Sequence, residues 1–67
     1  MNEQWKPKYN EVYYGVESDL TIFEYVWYDH DSDMKLYKLG NCFRTKKQAK
    51  QAAERIKQVF NEMRGKG

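Results

Sequence analysis

Between Thr45 and Gly65 the apolar residues Ala49, Ala52, Ala53, Ile56, Val59, Phe60 and Met63 recur at spacings of three and one. That period gathers them into one stripe along an α-helix and does not fit a strand, whose side chains alternate between two faces. Lys47, Lys50, Gln51, Glu54, Lys57, Gln58 and Asn61 occupy the polar face. Thr45 followed by Gln48 has the form of a capping box, so the spacing predicts a helix over about 46–63, ended by Gly65. A helix with a single apolar stripe needs a surface to lie on, and the rest of the chain must supply it.

Upstream, the pattern changes period. In residues 10–17, NEVYYGVE, Val12, Tyr14 and Val16 alternate with Tyr13 and Gly15. β-branched and aromatic residues at period two read as a strand. Ser18-Asp19 is a turn signal. Residues 20–28, LTIFEYVWY, read as a second strand with two rich faces: Leu20, Ile22, Val26 and Tyr28 against Phe23, Tyr25 and Trp27. Two apolar faces imply a central strand, a bulge, or a second face covered by a partner. A short third strand is expected at 35–39, followed by a turn at Gly40-Asn41. The expected fold class is α+β: an antiparallel meander of two to three strands (about 10–17, 20–28 and 35–39) packed on one C-terminal amphipathic helix. Residues 1–67 form a single small domain, with 1–8 and 64–67 expected to be flexible. Trp5 and Pro7 are the anchors of the first segment.

A chain of 67 residues buries a modest share of its surface, so domains of this size commonly rely on disulfides, metals or self-association. Cys42 is the single cysteine, which excludes an internal disulfide and a cysteine-based zinc site, and suits a reducing, cytoplasmic setting. Six Tyr, three Phe and two Trp supply large apolar area instead. The opening MNEQWKPKYN has no apolar run, and no stretch approaches a membrane span, so neither a leader nor a membrane partner is expected.

The most suggestive cluster is Asp29-His30-Asp31-Ser32-Asp33. Carboxylates at every second position imitate the first half of an EF-hand loop, but the sixth position is Met34 where a glycine is needed, and the twelfth is Gly40 where a glutamate is needed. One histidine does not make a zinc site. The stretch therefore reads as a solvated connection between strands, and no metal or cofactor is expected. His30 and Cys42 have nothing to pair them as base and nucleophile, no glycine-rich phosphate loop is present, and no catalytic residue is assigned: the chain reads as a non-enzyme, with Cys42 buried and inert.

Charge is divided unevenly. Residues 1–39 carry four lysines against eight acids, net −4, while 40–67 carry eight Lys/Arg against two Glu, net +6. Arg44, Lys46 and Lys47 crowd the start of the helix, where the helix dipole disfavours cations. Such a cluster beside free N–H groups is suited to an anion, whether phosphate, nucleic acid or an acidic protein surface. The candidate binding residues are Arg44, Lys46, Lys47, Lys50 and Lys57 on the helix, and Phe23, Tyr25 and Trp27 on the second strand, serving as core and interface anchors or as a stacking platform.

The run Gly40-Asn41-Cys42-Phe43-Arg44-Thr45-Lys46-Lys47-Gln48-Ala49, a G-N-x-F-x-T-K-x-x-A segment leading into an amphipathic helix after an aromatic hairpin, together with Trp5-Lys6-Pro7, resembles small phage- and prophage-type proteins of Gram-positive bacteria. The resemblance spans most of the chain and carries no catalytic residues. It implies a phage-type accessory protein that blocks or redirects host machinery, for instance a defence system. The expected function is that of a non-enzymatic interaction protein binding a host or phage protein. The alternatives are a nucleic-acid-binding module using the basic helix face, and a nucleotide-binding protein with its anion site at the helix start. A homodimer is also expected, from the two-faced second strand and the small size.

Overall fold

The computed structural model describes residues 5–66. Element order is β1 (Val12–Val16), β2 (Ile22–Val26), α1 (Asp31–Leu39) and α2 (Lys46–Lys66), an α+β fold in which the long C-terminal helix packs on an antiparallel hairpin. Both strands lie inside the spans that alternation predicts. The register pairs Val12 with Val26, Tyr14 with Glu24 and Val16 with Ile22. The connection is tight: the Glu17 N–H donates to the Thr21 carbonyl at 2.8 Å, and Asp19 Oδ1 accepts from the Thr21 N–H and hydroxyl at 3.1 and 2.6 Å. Leu20 takes the left-handed position in this turn, with φ 69°. A leucine there is strained, because its Cβ crowds the carbonyl that follows.

The expected third strand at 35–39 is instead the C-terminal half of α1. Two local features decide this. Acids at Asp31 and Asp33 in the first turn and Lys38 in the last complement the helix dipole. Gly40, at φ 88°, then closes the helix, its N–H donating to Tyr37 O at 3.0 Å while the Asn41 N–H reaches Leu36 O at 2.9 Å, a Schellman arrangement. The free edge of β1, opposite the one paired with β2, is covered sparingly. Phe43 and Tyr14 exchange backbone hydrogen bonds at 2.8 and 2.9 Å, and the Asn41 side-chain amide bonds Val16 N–H and C=O at 2.8 and 2.9 Å, as a strand backbone would.

Strand alternation separates two faces. Tyr13, Phe23 and Trp27 gather with Cys42 against Met34, Leu36 and Tyr37 of α1 and against Trp5. Tyr13 and Trp27 are fully buried. Gly15 lies under Phe23, and a Cβ there would collide with the phenyl ring, so this glycine is required by close approach. The other face carries Val16 and Phe43 beside Ala52 and Ile56 of α2. Ala49 and Ala53 of α2 are buried, and such short side chains let α2 lie close to the hairpin, whereas α1 stands off on large ones. Both faces of β2 are thus engaged within one chain. Thr45 caps α2 as expected, its hydroxyl accepting the Gln48 N–H at 3.1 Å. The helix runs past Gly65 to Lys66, because nothing at Gly65 turns the backbone into the left-handed conformation that ends α1.

At the other end, Pro7 is buried and Trp5 half-buried. The Lys6 ammonium sits over the Trp27 and Tyr37 rings at 5.8 and 5.6 Å, so residues 5–8 are tied to the core. Residues 1–4 and 67, at the ends expected to be flexible, lie outside the described residues.

Candidate functional site

Two polar regions stand out in the sequence, and the structure uses them differently. The first, Asp29 to Asp33, is not a solvated connection. Asp33 is the third residue of α1 and is 5% exposed. Its Oδ1 accepts the Tyr13 hydroxyl at 2.6 Å, and its Oδ2 accepts the backbone N–H groups of Tyr28 and His30 at 2.9 and 3.2 Å. Burial by itself would raise the carboxyl pKa, but these three donors outweigh it and hold the group below the usual carboxylate value. The Tyr13 phenol is raised, first by burial and then by the hydrogen bond to Asp33. Asp29, in the left-handed region at φ 58°, accepts the Trp27 indole N–H at 2.6 Å. Two of the three carboxylates are therefore spent anchoring the aromatic core, and Asp31 points to solvent. Among the described residues, no three His, Cys, Asp or Glu side chains converge as a metal site.

Cys42 is 5% exposed, and burial pushes its thiol up to about 11, with the Asp33 charge adding to the effect. A reactive cysteine has the opposite signature, a depressed pKa and access to solvent. His30 is exposed, tilted against Tyr28 at 6.0 Å between ring centroids.

The second region is the start of α2. Arg44, Lys46, Lys47 and Lys50 are all exposed, and so is Lys57 two turns further on. Lys46, Lys50 and Lys57 recur at four and seven residues and share one flank of the helix. On the other flank, Arg44, Gln48, Gln51 and Arg55 border a wide groove of about 920 Å³ against Trp5 and Phe43. From residue 44 to 55, Arg44, Lys46, Lys47, Lys50 and Arg55 meet a single acid, Glu54. The first turn of α2 holds no acid at all.

The aromatic candidates do not join this basic surface. Trp27 is fully buried and Phe23 is 6% exposed, so both serve the core and neither can stack a ligand. Tyr25, 46% exposed, stacks on Phe23 at 4.4 Å on the face that α1 covers. The basic residues lie on the helix, packed against the opposite face. The eight candidate residues thus divide into an exposed cationic set and a mostly structural aromatic one.

The chain matches no family model, no curated protein and no solved structure. The geometry is therefore read on its own chemistry.

One region escapes a reading of the sequence as core. The stripe of α2 is buried at Ala49 and Ala53, but Val59, Phe60 and Met63 are 53–65% exposed. The signal was present as a mismatch of lengths: a helix of 21 residues runs ~31 Å, whereas strands of five residues span ~17 Å. The distal half of the helix has no sheet beneath it. No helix among the described residues is long and apolar enough to cross a membrane.

Proposed function

We propose that this chain is a non-enzymatic interaction protein of the phage accessory type, which binds a host protein through the basic first half of α2 and so modulates or inhibits it. It would act in the cytoplasm. The observation that carries this reading is the cluster Arg44, Lys46, Lys47, Lys50 and Arg55, exposed together just before and along the first half of a capped helix with one acid among them. Cations at a helix start cost about 0.3–1 kcal/mol each at low salt, so stability does not account for them. A partner with an acidic surface does, since complementary charge steers encounter and fixes orientation. The groove bordered by Arg44, Gln48, Gln51, Glu54 and Arg55 adds amide and guanidinium donors suited to carboxylates beside its single acid.

Catalysis is disfavoured by the same chemistry. The groups with the most perturbed environments, Asp33, Tyr13 and Cys42, are buried and serve the core. Nucleic acid is the competing ligand for the cations, but Phe23 and Trp27 are withdrawn from any stacking role.

The test is retention of binding partners from host lysate by wild type and by a R44E/K46E/K50E variant, each with and without nuclease. The expected result is a protein retained by wild type whatever the nuclease treatment, and lost by the variant. Retention abolished by nuclease would transfer the cations to nucleic acid, whose binding must weaken steeply with salt. Equal retention by the variant, or a turnover activity that depends on His30 or Cys42, would overturn the proposal.

A further inference from the structure

The wide groove beside α2 has walls of two origins. One is a flank of the helix, where Gln48, Gln51 and Arg55 recur at spacings of three and four and Arg44 stands just ahead of the first turn. The other is Trp5, with Phe43 and Ala52 between. Trp5 belongs to a segment fastened to the core: Pro7 is buried, and the Lys6 ammonium sits over the Trp27 and Tyr37 rings. A wall held in this way is formed before any ligand arrives, so little ordering cost is left to binding. Trp5 and Phe43 are both half-buried and leave aromatic surface open.

The charges that line the groove are Arg44 and Arg55 against Glu54. Glu54 has Lys50 four residues and Lys47 seven residues before it on the same side of the helix, so its carboxylate has cationic neighbours outside the groove. Glu62 lies two turns beyond Arg55 and does not line it. Asp33, whose charge reaches Cys42 behind the groove, is held by its three donors. The balance is two guanidiniums set well apart, with one acid beside them. A continuous polyanion would lay charge against Glu54, whereas two separated carboxylates would not. Arg44 and Arg55 stand roughly 15 Å apart along the helix axis at about 1.5 Å per residue. An extended chain rises about 3.3 Å per residue and covers that distance in four or five residues. We infer that the groove takes an extended segment of the partner protein, with two acids four or five positions apart and an apolar side chain between them that contacts Trp5 and Phe43. Gln48 and Gln51, one turn apart between the arginines, offer the amide donors and acceptors that an extended main chain needs. The inference rests on the proposed reading in taking the ligand to be part of a protein, and narrows that reading from an acidic surface to a spaced pair of acids.

The test is fluorescence anisotropy with a labelled peptide, capped at both ends, that carries glutamates at its first and sixth positions and a leucine midway among serines. At about 0.15 M salt, distant charges are screened and close ones decide the outcome. Wild type should bind the peptide with a Kd of about 10–500 μM. A peptide of the same composition with its glutamates adjacent should bind about fivefold more weakly, because it reaches one arginine only. R55E should bind the spaced peptide about fivefold to tenfold more weakly with an unchanged helical spectrum, and should regain affinity for a peptide with one glutamate changed to lysine. K46E/K50E, altered on the other flank, should bind as wild type does. No binding by wild type at about 1 mM, equal binding of the spaced and adjacent peptides, or an unaffected R55E would overturn the inference. A thymidine hexanucleotide that binds more tightly than the spaced peptide would overturn it too and assign the groove to nucleic acid. Host-protein retention separates this inference from the broader reading. Retention lost by R44E/K46E/K50E but untouched by R55E would overturn the groove and keep the basic surface. Specific binding of the spaced peptide with no host protein retained by wild type would support the groove and overturn the broader reading.

Discussion

The two helices of this domain are built on opposite terms. α1 has nine residues, acids in its first turn, a base in its last and a glycine that closes it. Its Asp33 is locked to Tyr13, Tyr28 and His30, and its apolar side chains join the aromatic core. α2 has 21 residues, cations in place of acids at its start, and an apolar stripe that is covered only over its first half. Asp31, Asp33 and Lys38 on α1 each sit where the charge serves local stability. The charges at the start of α2 oppose it. A small domain has little stability to spare, so features that work against it are the better guide to what the molecule contacts.

The sharpest way to break this comparison is at Asp33. Asp33→Ala leaves the Tyr13 hydroxyl and two backbone N–H groups without their acceptor, and should lower unfolding free energy by roughly 2–4 kcal/mol, read by thermal or urea denaturation. A loss under 1 kcal/mol would mean that the carboxylate anchors nothing. Tyr13→Phe removes one of the three donors, and should cost about 1–2 kcal/mol while leaving the fold intact.

A pH titration sharpens the same point. Asp33 has a depressed pKa in the folded state, so its contribution is present above the ordinary carboxylate value near 3.8 and is lost as pH falls through the folded value. Cys42 is raised in the folded state from 9.0 to about 11, so its contribution is present below 9 and is lost as pH rises through that interval. Tyr13, raised from 10.0, adds to the loss above pH 10. Stability should be flat between these limits. Cys42→Ala should remove the part of the alkaline decline that begins near pH 9 and leave the acid limb unchanged.

The smallest effects belong to α2. Lys46→Glu and Lys47→Glu each place an acid in the first turn and should raise stability by about 0.3–1 kcal/mol at low salt, measured by thermal melting at two ionic strengths. A loss of stability on either substitution would show that the lysines support the fold.

The same contrast explains how much was legible in the sequence. α2 was readable because its period, its Thr45 cap and its length are local properties, and the hairpin because alternation and the Ser18-Asp19 turn are local too. α1 was misread as a loop and a strand. Nine residues give too little periodicity to separate Leu36, Tyr37 and Leu39 on a helix from the same residues on a strand, and the interaction that makes Asp33 structural comes from Tyr13, twenty positions away. Polar residues at regular spacing looked like chemistry or solvent exposure, when two of them were hydrogen-bonding the core. The cationic candidates could be placed because an exposed flank of a helix follows from its period. Phe23 and Trp27 could not, because whether a strand face is core depends on which helix lies over it.

The central claim is that α1 is built for the fold and the start of α2 for contact. Thermal unfolding of D33N beside a K46E/K47E/K50E variant, each against wild type at low salt, tests it most directly. The account predicts shifts of opposite sign: a lower melting temperature for D33N, whose amide cannot accept all three donors, and an equal or higher one for the charge-reversed helix. A destabilised charge-reversed variant, or a D33N protein that melts with wild type, would contradict it.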